Sequence, residues 1–171
     1  MKYPESSISN VRYVAIIRHA KTNPGEEGLN PEGIKKAQVT ASIISERIPI
    51  EVRDQADKIL LIISSKRRAM ESGNPFCQEF NVTPIEIDYM PHGVLLSKDL
   101  LSMILEEIKP TTLSVVVIGH SPQIDKLPKL FFPHLEDPYR GVTEPGDGYI
   151  IDIQKGVWEP VYPQKSSIEV Y

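Results

Sequence analysis

The chain has 171 residues, 40% of them hydrophobic and 25% charged, with a formal net charge of −4. That fits one soluble globular domain, 1–171, with 1–10 and 157–171 as peripheral tails, and gives no general pull towards nucleic acid or an anionic membrane. A single cysteine, Cys77, excludes an intramolecular disulfide and fits a reducing, cytoplasmic compartment.

Residues 1–10 are polar and lack the apolar core of a signal peptide, and no apolar run approaches the ~20 residues of a spanning helix. Residues 11–19 read as a short buried strand. After a polar loop, Asn30 is placed to cap a helix with Pro31 at its first position. Ile34, Ala37, Ala41, Ile44 and Ile48 then recur at three- and four-residue steps, one apolar helix face that ends at Pro49.

Residues 58–64 form a second buried run. A helix is expected from Arg67, carrying Met70, Phe76 and Phe80, with Gly73-Asn74-Pro75 as a break or kink. Asn81-Val82-Thr83 matches a glycosylation acceptor, read as chance without an export signal. A short strand follows at Ile85–Asp88. Ser97 is placed as the N-cap of a helix bearing Leu100, Leu101, Ile104, Leu105 and Ile108, whose charged face is solvated. Residues 114–120 form a third buried strand, 123–132 a helix weakened by Pro128, and 148–153 an alternating edge strand. The chain after Gly156 shows little periodicity. Strands alternating with helices, and strands apolar throughout, predict an α/β three-layer sandwich: a mostly parallel central sheet with helices on both faces.

Two apolar runs stop on a histidine, Val14-Ala15-Ile16-Ile17-Arg18-His19 and Val115-Val116-Val117-Ile118-Gly119-His120. A third leads into Ser64-Ser65-Lys66-Arg67-Arg68-Ala69. Central strands of an open α/β sheet bring their C-terminal ends to one crevice, where such sheets bind ligands. Imidazoles and guanidiniums gathered there suit a phosphoryl group, whose charge is spread over three oxygens.

These segments resemble the histidine phosphatase, or phosphoglycerate-mutase-like, superfamily. Arg18-His19-Ala20 is similar to its Arg-His-Gly motif and Leu29-Asn30-Pro31-Glu32-Gly33 to its Leu-Thr-x-x-Gly helix start. Ser64 to Ala69 is similar to its Ser-Pro-x-x-Arg-Ala segment, and Gly119-His120 to its late-strand histidine. The short chain is closest to the small SixA-like phosphohistidine phosphatase branch. The resemblance implies a phosphoglycerate-mutase-like fold and a phosphatase. His19 would be the nucleophile forming a covalent phosphohistidine, Arg18 and Arg68 would grip phosphate oxygens, and His120, if protonated, would add a donor. No metal or other cofactor is needed, because side chains supply the cations. The partner is a phosphorylated small molecule or a phosphohistidine protein, with phosphate in the pocket.

Other positions keep two readings. Thr22 and Asn23 either donate to phosphate or satisfy their own loop. Ser121 either faces the anion or caps the next helix. Arg68, directly before alanine, takes the motif's role and leaves Arg67 solvated. Ala20 stands where the family has glycine, so its backbone must avoid a glycine-only conformation. No clear general acid follows the third strand; Asp88 is the nearest carboxylate, and His92 could serve as acid or contact substrate. His134 reads as a surface residue and Cys77 as a small buried hydrophobe. A non-catalytic phosphate- or phosphoprotein-binding module, a small-metabolite phosphatase or mutase, and a histidine metal site are the alternatives. The last lacks any close ligand spacing.

Overall fold

A computed structural model describes residues 8–88, 97–133 and 144–162, with only the backbone of Ser97. Its six strands are β1 (Tyr13–Arg18), β2 (Ile59–Ser64), β3 (Ile85–Ile87), β4 (Ser114–Gly119), β5 (Gly148–Asp152) and β6 (Val157–Val161). They form one sheet in the order β3-β2-β4-β1-β5-β6. The first four are mutually parallel, while β5 runs antiparallel to β1 and β6 to β5. The helices are α1 (Pro31–Arg47), the one-turn α2 (Ile50–Arg53), α3 (Arg67–Phe80), α4 (Ser97–Glu107) and the short α5 (Leu127–Phe131).

The order of strands decides where the helices go. A crossover between parallel strands is right-handed, so its direction along the sheet fixes the face its helix covers. The chain moves one way from β1 to β2 and on to β3, and α1 and α3 cover the same face. It returns from β3 to β4, and α4 covers the other. Ala15, Ile17, Leu61, Ile63, Val116 and Ile118 pack with Ala41 and Ile44 of α1 and Phe76 and Phe80 of α3. Their neighbours Val14, Ile16, Leu60, Ile62, Val115 and Val117 pack with Leu100, Leu101 and Ile104 of α4 and Leu127 and Phe131 of α5. Both faces are buried, as the unbroken apolar runs require, and the α/β sandwich expected from sequence is the fold observed.

Several local expectations change. Ile34 is 47% exposed; the buried face of α1 is instead Gly33, Lys36, Ala37, Thr40, Ala41 and Ile44. Met70 is also exposed, because α3 turns Ala69, Ser72, Gly73, Phe76 and Phe80 inward. Gly73-Asn74-Pro75 does not break α3, which runs through Pro75. A Cβ at Gly73 would collide with the Ile63 side chain, so this glycine serves close packing of α3 on β2. Pro128 sits in the first turn of α5, where a missing N–H costs nothing, so it starts that helix instead of weakening it. β5 is not an edge strand, because Val157–Val161, expected as aperiodic tail, pairs with it. Asn30 caps α1 as expected, accepting from the Gly33 N–H at 2.8 Å. Asn81 ends α3 in the left-handed region, a role that accounts for an asparagine there. α4 starts at Ser97, whose proposed capping side chain lies outside the described residues. Among the described residues, no helix is long and apolar enough to cross a membrane.

Candidate active site

The strand register delivers the reactive residues to one edge. Arg18 pairs with Gly119, so His19 and His120 leave adjacent strands at the same level. Their rings lie 4.9 Å apart between centroids. β2 flanks β4 on the other side and ends at Ser64, after which α3 begins and brings Arg68 back over the edge.

The hydrogen bonds of the two imidazoles differ. His19 Nδ1 lies 2.8 Å from the Ala20 carbonyl oxygen. A carbonyl only accepts, so Nδ1 carries the proton and Nε2 keeps its lone pair. Burial, with smaller contributions from Arg68 and Arg18, outweighs this bond and lowers the His19 pKa to about 4. At neutral pH it is therefore an uncharged imidazole with a defined free nitrogen. His120 Nε2 lies 2.8 Å from Ser64 Oγ, and Arg68 Nε donates to His120 Nδ1 at 3.5 Å. Burial, His19 and the nearby Arg68, Lys66 and Arg18 lower the His120 pKa to about 3. The protonation of His120, which sequence leaves as a condition, is thus set against the charged form, first by burial and then by the neighbouring charges. A phosphate dianion would act in the opposite direction on both rings.

Ala20 is fully buried and adopts no positive φ, so the absent glycine strains nothing. Its N–H donates to Ser72 Oγ at 2.8 Å, and Ser72 in turn donates to the Arg68 carbonyl at 2.7 Å. The loop carrying His19 is thereby tied to the helix turn carrying Arg68. A second tie comes from the turn before β5. Gly146, at φ +88°, donates its N–H to the carbonyls of both Arg18 and His19, each at 3.1 Å. The Arg18 N–H donates to the Asp147 carbonyl at 3.0 Å. Thr40 Oγ1 lies 2.9 Å from the Gly146 carbonyl, and buried Lys36 pairs with buried Asp147 at 2.9 Å, fixing this turn to α1. Burial pushes the Asp147 carboxyl up while Lys36 pulls it down.

The remaining candidates are dispersed. Arg67 is 68% exposed and bonds Glu71 at 2.7 Å, in keeping with a solvated role. Glu71 also accepts from the Leu29 N–H at 2.6 Å, holding the loop before α1 against α3. A groove of about 630 Å³ opens there, lined among others by Glu27, Lys66, Arg67, Arg68 and Met70. Asn23 is engaged within its loop, donating to Glu26 at 3.0 Å and accepting from Asn30 at 3.2 Å. Thr22 bridges to Leu29. Ser121 donates to Asp125 at 2.9 Å and does not cap the following turn through its side chain. Asp88 follows the edge strand β3, is exposed, and accepts from Ser65 at 3.0 Å. Cys77 is half-buried against the α1/α3 core. His92 and His134 lie outside the described residues. No cluster of three or more potential metal-ligating His, Cys, Asp or Glu side chains forms among the described residues.

Ser72, Lys36, Glu71 and Asp147 carry no expectation from sequence, and Ser64 enters there only as the first residue of the Ser64–Ala69 segment. Ser72 lies four residues after Arg68, on the same helix face, and Lys36 interrupts an otherwise small and apolar buried stripe; both are local signals. Asp147 has none, since only the tertiary fold brings it to α1.

No protein-family model matches the chain, and no curated protein sequence matches it. Solved structures do. One named as the phosphohistidine phosphatase SixA of Agrobacterium tumefaciens is 23% identical with a TM-score of 0.62, over 88% of this chain and 96% of that one. A protein histidine phosphatase SixA in complex with tungstate is 19% identical with a TM-score of 0.55, over 90% and 99%. The mycobacterial glucosyl-3-phosphoglycerate phosphatase in complex with inorganic phosphate is 12% identical with a TM-score of 0.56, over 89% and 96%. These likenesses establish a shared fold, the phosphoglycerate-mutase-like α/β sandwich.

Proposed function

We propose that this chain is a metal-independent phosphatase that works through a phosphohistidine on His19, and that its substrate is a phosphohistidine protein or a phosphomonoester. The observation that carries the reading is the state of His19: neutral, with Nδ1–H committed to Ala20 and Nε2 free, beside His120 and under the charge of Arg68 and Arg18. Neutral Nε2 attacks phosphorus in line. The P–N bond forms as the bond to the leaving group breaks; a substrate imidazole leaves already carrying a proton on its other nitrogen, whereas an aryloxide leaves as the anion and takes its proton from water. Water then attacks the phosphorus, phosphate leaves, and Nε2 recovers its lone pair. Arg18 and Arg68 offset the charge on the equatorial oxygens throughout.

The phosphohistidine substrate is favoured by leaving-group chemistry. An imidazole protonated on its second nitrogen leaves as a neutral group, whereas an alkoxide needs a general acid, and Asp88 is spent on Ser65 at an exposed edge. Two of the structures sharing the fold carry that activity in their names. A cytoplasmic location fits the lone cysteine. The test is phosphate release, in the presence of chelator, from an aryl phosphate and from a phosphohistidine protein. His19→Ala is expected to abolish both. Binding of either without release, in the unsubstituted protein, would mean a phosphate-binding module on the same fold.

A further inference from the structure

We infer that Ser64 is a positioning residue for the second imidazole: its hydroxyl takes the Nε2–H of His120 and so turns His120 Nδ1 towards Arg68 and the anion cleft. This rests on the phosphatase reading for its consequence but not for its geometry. Arg68 Nε is a donor only, so the ring nitrogen it meets at 3.5 Å must accept, and that nitrogen is Nδ1. The proton of neutral His120 then resides on Nε2, which lies 2.8 Å from Ser64 Oγ. Ser64 is 1% exposed, so no solvent competes for this bond. The same oxygen accepts, at 3.4 Å, from the backbone N–H of Lys66, the residue that opens α3.

One hydroxyl at the end of β2 is therefore shared between the ring on β4 and the helix start that delivers Arg68. The consequence appears on anion binding. A phosphoryl group between Arg68 and His120 favours proton uptake at Nδ1, which then donates to the anion while Nε2–H stays on Ser64. With no acceptor at position 64, the long 3.5 Å bond from Arg68 Nε is left to oppose a proton on Nδ1, and the tautomer and angle of the ring are held less firmly before the anion arrives. The ring then no longer meets the transition state in one fixed orientation.

The experiment pairs nitrogen–proton correlation spectra of the histidine rings of the full chain at neutral pH with turnover of an aryl phosphate. His120 of the unsubstituted protein is expected as the Nε2–H tautomer. In Ser64→Ala that signature is expected to give way to a mixture of the two tautomers, since only the long bond from Arg68 still favours Nε2–H, with kcat down about tenfold to a hundredfold, at the low end of the ~10²–10⁴-fold of losing an acid–base group outright. KM is expected to hold within about threefold, since the tie lost at the start of the Arg68 helix is the long 3.4 Å bond from the Lys66 N–H. Ser64→Thr, which keeps the hydroxyl on a strand, is expected to restore both readouts. An Nδ1–H tautomer in the unsubstituted protein overturns the inference with no variant at all, which also covers a Ser64→Ala chain that does not fold. A Ser64→Ala protein that keeps the Nε2–H tautomer alone, or keeps kcat, overturns it as well. Should the unsubstituted protein release no phosphate, the phosphatase reading fails while the tautomer result still stands or falls by itself.

Discussion

The two halves of the sheet divide the work. The parallel half, β1 to β4, is apolar on both faces and presents Arg18, His19, Ser64 and His120 at its C-terminal edge, with Arg68 just beyond. The antiparallel flank, β5 and β6, presents none of these groups. It contributes the turn 144–147, which grips the Arg18-His19 segment by backbone alone: Gly146 N–H on the carbonyls of Arg18 and His19, Asp147 carbonyl on the Arg18 N–H. The candidate site sits where parallel strands end together, and its backbone is held from a flank that presents none of its side chains. The contrast teaches that a substitution on the flank should cost stability first, whereas one on the parallel edge should cost rate first.

After the loss of His19 itself, the largest effect on rate is expected from Arg68→Ala, about 10²–10³-fold in kcat/KM, the loss typical of one well-placed transition-state donor. Arg67→Ala, whose partner Glu71 holds it on the surface, is expected to change kcat/KM only a few-fold, in line with the small worth of an exposed ion pair. Steady-state kinetics on both variants check this, and a reversed pattern would move the anion grip one residue along α3.

On the flank, Lys36→Met is expected to lower unfolding free energy by about 3 kcal/mol, because it strands the buried Asp147 carboxylate. Adding Asp147→Leu should return most of that loss, since a buried pair replaced by apolar groups is often neutral. Denaturant titration of the single and double variants decides. A single variant as stable as the parent would show that the turn 144–147 is held by backbone bonds without the ion pair.

A smaller effect concerns pH. The folded pKa values of His19 and His120, about 4 and about 3, lie below the ordinary histidine value of 6.5. Between pH 6.5 and about 4 for His19, and down to about 3 for His120, the unfolded chain binds protons that the folded chain refuses, so stability falls as pH falls through that window. Inorganic phosphate should blunt the fall by favouring the charged rings, and His120→Gln should reduce it. Stability measured against pH with and without phosphate tests both, and a fall unchanged by phosphate would argue against an anion between the rings.

The parallel half was legible because its strands are unbroken β-branched runs that end in histidines or in the Ser64–Ala69 segment. Burial on two faces writes itself into every residue of such a strand. β6 was not legible: it carries Glu159 and Pro160 as an edge strand, and only pairing with β5 makes it a strand. Likewise the positions of His19, His120 and Arg68 followed from local pattern, whereas the protonation of the two histidines did not. That depends on burial and on which side chains of other strands and helices come near, as Ser64 does for His120 and Ser72 for Ala20. The exposed Ile34 and Met70 show the same limit on a smaller scale, since an apolar residue near a helical stripe is buried only if the neighbouring element covers its angle.

The most direct measurement is a rapid-quench trap of the full chain with labelled substrate, read by peptide mass spectrometry under alkaline conditions that preserve phosphohistidine. A transient phosphoryl group on His19, absent in His19→Ala and formed no more slowly than turnover, is the predicted result. Turnover with no phosphoryl group on His19, or with one on His120 instead, would contradict the account.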